Sequence, residues 1–238
     1  AGVAKIIHRK GVAAGVELES GEVIECDYLL STVGYRETLI LLEDKRENQK
    51  EPACRLGFIE NIYRLPEESA PWLPRDKTII FYNSGHRFTY RQPKTLADFS
   101  SGVICFPDNF KHFPKTEHKE IRSTHLANYR RWQEIGVRRE NYLEEKRQAS
   151  ARSLQCLEEI VGKFGSHVDY NNCFTPLTIK RFTSKIDGAI YGSPVKIKDG
   201  DIGFNNLFLA GTDQGFLGII GSMLSGVSIV NQHILPRL

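Results

Sequence analysis

Four apolar residues, Leu207-Phe208-Leu209-Ala210, run straight into a stretch with glycine at positions 211, 215, 218, 221 and 226. No other part of the chain narrows the choice of fold so far. An unbroken apolar tetrapeptide that ends in a turn suits a strand buried on both faces. The glycines let backbone approach a neighbour or a ligand closely. Residues Ile219–Leu235 then predict a helix, whose first N–H groups are unpaired and lie at the positive end of its dipole. That arrangement suits an anion or an electron-rich carbonyl. Plain strand–helix packing, with glycine for closeness, gives the same pattern, and both readings stand. Asp213 falls at the carboxyl end of the strand, where ligands bind in open α/β sheets, placed to accept hydrogen bonds from hydroxyl groups. No G-x-G occurs in the chain, so the usual dinucleotide fingerprint is absent.

The rest of the chain predicts what that unit packs against. Val3–His8, Ala13–Leu18 and Glu22–Ser31 read as three strands joined by tight turns at Arg9-Lys10-Gly11 and Glu19-Ser20-Gly21. A short helix is expected near Glu37–Glu43. Short strands at Leu56–Tyr63, Thr78–Tyr82 and Gly102–Phe106 lie between proline-rich connections. Two long helical patterns follow, Glu117–Ile135 and Glu140–Lys163, then a strand at His167–Phe174. Thr175-Pro176 reads as a helix N-cap with proline at the first helical position. The order is meander, mixed sheet with helices, then strand–turn–helix: a mixed α/β (α+β) class. The first and last pieces are expected to pair across an insertion. At 238 residues and 40% hydrophobic content, the chain can bury one large core or two small ones.

Other constellations exclude more than they assign. The five cysteines, Cys26, Cys54, Cys105, Cys156 and Cys173, are scattered and form no C-x-x-C, which argues against a disulfide framework or a zinc site and fits a reducing compartment. His112, His118 and His125 have no spacing that puts two on one helix face, so no metal site is expected. His86 follows a turn and reads as an exposed loop residue. No G-x-S-x-G nucleophile elbow is present. Between Lys111 and Arg152 there are eleven Lys/Arg against six Asp/Glu, within a net charge of +3 overall. Such a run fits a solvated face or an anionic membrane surface, as does Tyr129-Arg130-Arg131-Trp132. No run reads as long enough to span a bilayer.

Three blocks in order carry a resemblance. Leu209-Ala210-Gly211-Thr212-Asp213, followed by Gly218, Gly221 and Ser225-Gly226, resembles the C-terminal flavin motif of the phytoene desaturase / carotenoid isomerase / retinol saturase family. Thr175-Pro176-Leu177-Thr178, Arg181-Phe182 and Gly188-Ala189-Ile190-Tyr191-Gly192 resemble the segment just upstream of it. Gly15-Val16, Ser20-Gly21-Glu22 and Cys26-Asp27-Tyr28-Leu29-Leu30-Ser31 resemble that family's meander. The middle of the chain is matched only loosely. Where the family often has proline or aromatic residues in the turn, this chain has Gln214-Gly215-Phe216-Leu217.

The resemblance implies the C-terminal part of a two-domain FAD-linked oxidoreductase. Residues 1–43 and 200–238 would belong to the FAD-binding domain and residues 44–199 to a substrate-binding domain. It implies FAD as cofactor, with Gly211, Thr212 and Asp213 at the ribityl–pyrophosphate region. Gly218, Ile219 and Ile220 would lie beside the ring system, and Tyr191 and Gly192 would line the substrate site. Phe81, Tyr82, Phe88, Tyr90 and Phe106 would then line an apolar pocket or serve as ordinary core. The implied activity is desaturation, saturation or isomerisation of a polyene or other long apolar lipid. Alternatives are a non-catalytic lipid- or partner-binding fragment and an amine-oxidase-type flavoenzyme. The expected location is cytoplasmic and peripheral to a membrane, with no nucleic-acid partner. The chain starts at Ala1 and its one methionine is Met223, so an upstream half of the same protein, holding the adenosine, is a further expectation.

Overall fold

The computed structural model describes residues 1–48, 56–112 and 116–238; Cys54 lies outside them. The chain forms two compact units, Ala1–Arg55 with Ser184–Leu238, and Leu56–Thr183. These bounds fall inside the positions 44 and 199 read from the sequence. The mixed α/β class is present, with three sheets.

In the first unit, β1 (Val3–Arg9), β2 (Val12–Leu18) and β3 (Val23–Glu25) form an antiparallel sheet in sequential order. Lys10 and Gly11 both have positive φ, 51° and 78°, the paired left-handed conformation of a tight two-residue hairpin. The third predicted strand does not run on to Ser31. It breaks after Glu25, and β4 (Leu29–Ser31) joins a different sheet, parallel to β10 (Leu207–Leu209). Asn206 explains the break. Its buried side-chain amide donates to the carbonyls of Asp27 (2.7 Å) and Ala13 (2.8 Å), and its Oδ1 accepts from the Ala13 N–H (2.8 Å). Chain leaving β3 is thereby tied to β2 and handed to β10.

The β4/β10 pair is covered on both faces, as its unbroken apolar sequence requires. Leu207 and Leu209 pack with Ile6, Ala13, Leu39 and Phe204, and Phe208 and Ala210 pack with Ile229 on the other side. Helix α1 (Tyr35–Leu41) follows β4, close to the predicted position. Helix α5 (Gly218–Ile229) follows β10 and continues through a π-helical turn, Val230–Ile234, and a 3-10 turn, Leu235–Arg237. The whole stretch Gly218–Arg237 has 20 residues and a mean hydropathy of 1.2, long and apolar enough by length and composition to cross a membrane. This corrects the expectation that no run reaches that length. The glycines and serines that looked like interruptions sit inside continuous helix.

The second unit is built on a five-stranded sheet ordered β6-β7-β8-β5-β9, antiparallel at every described pairing. Its strands are β5 (Gly57–Pro66), β6 (Ile79–Asn83), β7 (Ser101–Cys105), β8 (His118–Ala127) and β9 (Tyr170–Phe174). Helices α2 (Tyr129–Gly136), α3 (Arg139–Val161) and α4 (Pro176–Thr183) complete it. Thr175 caps α4 as expected, its Oγ1 accepting from the Thr178 N–H at 3.4 Å.

Strand β8 overturns the predicted helix over Glu117–Ile135; only its last third, α2, is helical. The face β8 turns inward carries Lys119, Ile121, Ser123, His125 and Ala127. Three of those five are polar, so the two-residue period is invisible to a hydrophobicity pattern. Ten paired residues with β5 make the strand nevertheless. The excess of basic residues is therefore divided among a strand and two helices rather than gathered on one face. Trp132 is fully buried, donating Nε1–H to the Leu96 carbonyl at 3.0 Å, which removes it from any membrane interface.

Candidate functional site

The turn after β10 is locked from inside. The Gly211 N–H donates to Ser225 Oγ at 2.7 Å, and the Ser225 hydroxyl donates to Gln214 Oε1. The buried Gln214 amide in turn donates to the Lys198 carbonyl at 2.8 Å. The Gln214 and Gly215 N–H groups close on the Gly211 and Thr212 carbonyls at 3.1 and 3.2 Å. Gln214 and Ser225 thus hold the turn against α5. The sequence signal was a glutamine at the position where a small or aromatic residue was expected.

Asp213 is 1% exposed, and its carboxylate points into the protein. Oδ2 accepts from the Tyr35 N–H and Oδ1 from the Ser193 N–H, both at 2.7 Å, with Lys196 Nζ at 4.0 Å from Oδ1. Asp213 thereby supplies the anionic cap that α1 lacks in its own sequence, where Gly34 has no side chain to offer. Gly192 stands against the same carboxylate. A Cβ there would lie 1.7 Å from Asp213 Oδ1, and its φ of +68° is left-handed, so only glycine fits. Lys196 Nζ bridges the carbonyls of Tyr191 (2.7 Å) and Thr212 (3.0 Å). Asp213, Gly192, Tyr191, Thr212 and Gly211 therefore form one connected cluster, held by hydrogen bonds within the chain.

Gly218, Ile219 and Ile220 face the other way. Gly218 has φ +75° and open space around its Cα, and α5 begins there with no side-chain cap on its first-turn N–H groups. Ile219 is 84% exposed, and Phe216, Leu217, Ile220 and Met223 are exposed around it. Uncapped donors at a helix N-terminus, set in an apolar shelf, fit the electron-rich edge of a flat heteroaromatic ring. A flavin pyrimidine is such an edge. The inward Asp213 is the part of the expected site that takes another role.

The remaining candidates separate. Phe106 is core and Tyr82 packs beside it, whereas Phe81, Phe88 and Tyr90 are exposed, so the five aromatics line no common cavity. His86 is exposed in a bend, as expected. Cys26, Cys105, Cys156 and Cys173 are free thiols, and burial pushes Cys173 up to about 12, leaving it unreactive.

His125, dismissed in the sequence as one of three scattered histidines, lies at the centre of a buried polar seam between the sheet and α3. Its Nδ1 faces the Ser101 carbonyl at 3.2 Å and Tyr82 Oη at 3.1 Å. Its Nε2 is 2.8 Å from Ser153 Oγ, which is 2.7 Å from Ser123 Oγ. A carbonyl can only accept, which assigns the ring proton to Nδ1 and makes Nε2 the acceptor of the Ser153 hydroxyl. Asn61 Nδ2 reaches Ser123 at 3.5 Å, and Asn61 Oδ1 has no partner among the described residues. Burial pushes His125 down to about 4, so it is neutral. Nothing in a hydrophobicity pattern marks such a seam.

No protein-family description matches the chain, and no curated protein does. Among solved structures, a protein from Exiguobacterium sp. 255-15, provisionally named a protoporphyrinogen oxidase, is similar over 96% of this chain, with TM-score 0.53 and 14% identity. The chain spans 45% of that protein's length. Tetracycline destructase Tet(51) (15% identity, 99% of this chain and 54% of that one) and a flavin-dependent halogenase from Xanthomonas campestris (14%, 96% and 34%) each align with TM-score 0.40 and carry no weight. The likeness to the first establishes a mixed α/β fold of the oxidoreductase type, and nothing about a ligand.

Proposed function

We propose that Leu207–Ile229 forms one half of a flavin site, and that the protein is an FAD-dependent oxidoreductase acting on a polyene or another long apolar lipid. The observation that carries this reading is the uncapped N-terminus of α5, open at Gly218 and set among Ile219, Ile220, Phe216 and Leu217. When bound, FAD would supply the hydride-transfer or double-bond chemistry. The chain's own work is binding and orientation. The first-turn N–H groups of α5 would meet the electron-rich edge of the ring, and the apolar shelf would exclude water beside it. Gly211 and Thr212 would support the ribityl chain through backbone, since the Gln214–Ser225 lock and the Asp213 clamp hold that turn in shape. Tyr191, exposed beside Gly192, would border the substrate. A phytoene desaturase-type lipid substrate is supported by the sequence resemblance alone. Proximity to a membrane surface accords with the exposed apolar face of α5, and an upstream half would hold the adenosine.

The test is the natural full-length protein, purified and denatured, with any released cofactor identified by chromatography. Stoichiometric FAD is the expected result. A colourless protein that also fails to take up added FAD, riboflavin or FMN would sink the reading. Gly218→Asp, which puts a carboxylate at the helix start, should weaken flavin uptake on the order of tenfold without changing the fold.

A further inference from the structure

Between β6 and β7 a strap, residues 91–99, crosses the end of β8. Its backbone is fastened on the inner side. Asp98 N–H donates to the Leu126 carbonyl (2.8 Å), Asn128 N–H donates to the Leu96 carbonyl (3.0 Å), and Asn128 Nδ2 donates to the Pro93 carbonyl (2.7 Å). Trp132 Nε1–H reaches the Leu96 carbonyl as well, at 3.0 Å. The strap is therefore held at a fixed height above α2, and a groove of about 610 Å³ remains between them. A second hollow of about 270 Å³ continues beyond Lys94 towards Arg91. These volumes lie within or near the range of about 300–1,000 Å³ that small-molecule sites occupy.

The groove is amphipathic in a directed way. Leu96, Phe99 and Ile135 each pack on one side against the buried cluster of Ile59, Ala127 and Trp132, and turn their remaining surface to the groove. At the rim, Arg131 is engaged by Glu134 at 2.9 Å. Among the described residues, no carboxylate pairs with Lys94 or Arg91. An apolar floor with uncompensated positive charge at one end complements an aliphatic chain that ends in a single negative charge.

We propose that this groove binds a long-chain carboxylate, a fatty acid, with its carboxylate at Lys94 and its chain along Leu96, Phe99 and Ile135. The site lies wholly within the unit Leu56–Thr183 and does not rest on the flavin reading. Chain burial supplies most of the affinity, so each added methylene tightens binding about fourfold until the groove is filled. The exposed ion pair contributes a smaller share.

The experiment is titration calorimetry of the protein with decanoate, dodecanoate and dodecan-1-ol, all below their micelle concentrations, together with vesicles of anionic phospholipid. Expected is saturable one-to-one binding of dodecanoate, weaker for decanoate. Lys94→Glu should weaken dodecanoate on the order of tenfold while leaving dodecan-1-ol within about twofold. Thr95→Trp, which fills the groove from an exposed position, should abolish both, with an unchanged melting profile as the control for folding. Absence of saturable dodecanoate binding would overturn the proposal. So would equal affinity in Lys94→Glu, or binding seen only on anionic vesicles, which would make the surface a membrane contact instead.

Discussion

Asp213 and His125 are each 1% exposed, one in each unit, and the protein treats them in opposite ways. Around Asp213 two backbone N–H groups aim at the carboxylate, α1 presents the positive end of its dipole, and Lys196 stands 4.0 Å away. The environment stabilises a charge, and the charge in turn fixes the start of a helix and a loop. Around His125 there are hydroxyls, a carbonyl and aromatic edges, with Asp98 as the favourable charge. That environment has little to offer a cation, so burial dominates and the ring is neutral. Equal burial therefore says nothing about charge; the direction of the surrounding dipoles decides it.

The contrast breaks most sharply at Asp213→Ala. Two buried N–H groups lose a charged acceptor together, and the expected loss is about 4 kcal/mol, read from urea denaturation. A loss below about 1 kcal/mol would mean that water replaces the carboxylate and that the clamp is not structural.

Next in size is acidification, which acts on His125. Its folded pKa is depressed to about 4 from an ordinary 6.5, so between those values the unfolded chain binds the proton and the folded one does not. Stability is therefore full above pH 6.5 and falls as pH drops towards 4, by about 3 kcal/mol in all. Urea midpoints for wild type and His125→Gln, compared across that window, should converge at low pH. Parallel curves would show that the histidine is not the group responsible.

Ser153→Ala removes the donor to His125 Nε2 and strands an acceptor in the seam, at a cost of about 2 kcal/mol. It should also shift the histidine titration, followed by its ring proton resonances. Tyr82→Phe is the mildest change. Tyr82 is only part-buried, and its hydroxyl reaches His125 and the Phe99 carbonyl at 3.1 and 3.4 Å. About 1 kcal/mol is expected, with the seam otherwise intact. A loss as large as that of Ser153→Ala would place the tyrosine inside the hydrogen-bonded chain.

What could be read from the sequence followed local rules. The Lys10-Gly11 hairpin, the Thr175 cap, the long helix α3 and the strand–turn–helix at Leu207 each depend on residues within a few positions of one another. Their chemistry is visible in a short window. The failures involved distant partners. Strand β8 hides its period because Ser123 and His125 face hydroxyls on α3 rather than apolar side chains. The break before β4 depends on Asn206, far along the chain. Asp213 was read as reaching for a ligand because its position suited one, but the groups that bind it, Tyr35 and Ser193, belong to segments that no local window includes. The candidate site was legible as a place, the turn after β10. Which atoms face outward from it was not.

The pairing of β4 with β10 also sets a timetable. Strand β4 is made early, yet its partner lies beyond residue 206, as does the Asp213 that caps α1. During synthesis the whole of Leu56–Thr183 emerges as one contiguous segment before either arrives. That segment can fold while Leu29, Leu30 and α1 still wait with their apolar surfaces uncovered. Non-local closure of this kind is slow and exposes sticky intermediates. A ribosome-bound chain halted near residue 190 should therefore already protect the five-stranded sheet from proteolysis and leave residues 1–43 open to cleavage.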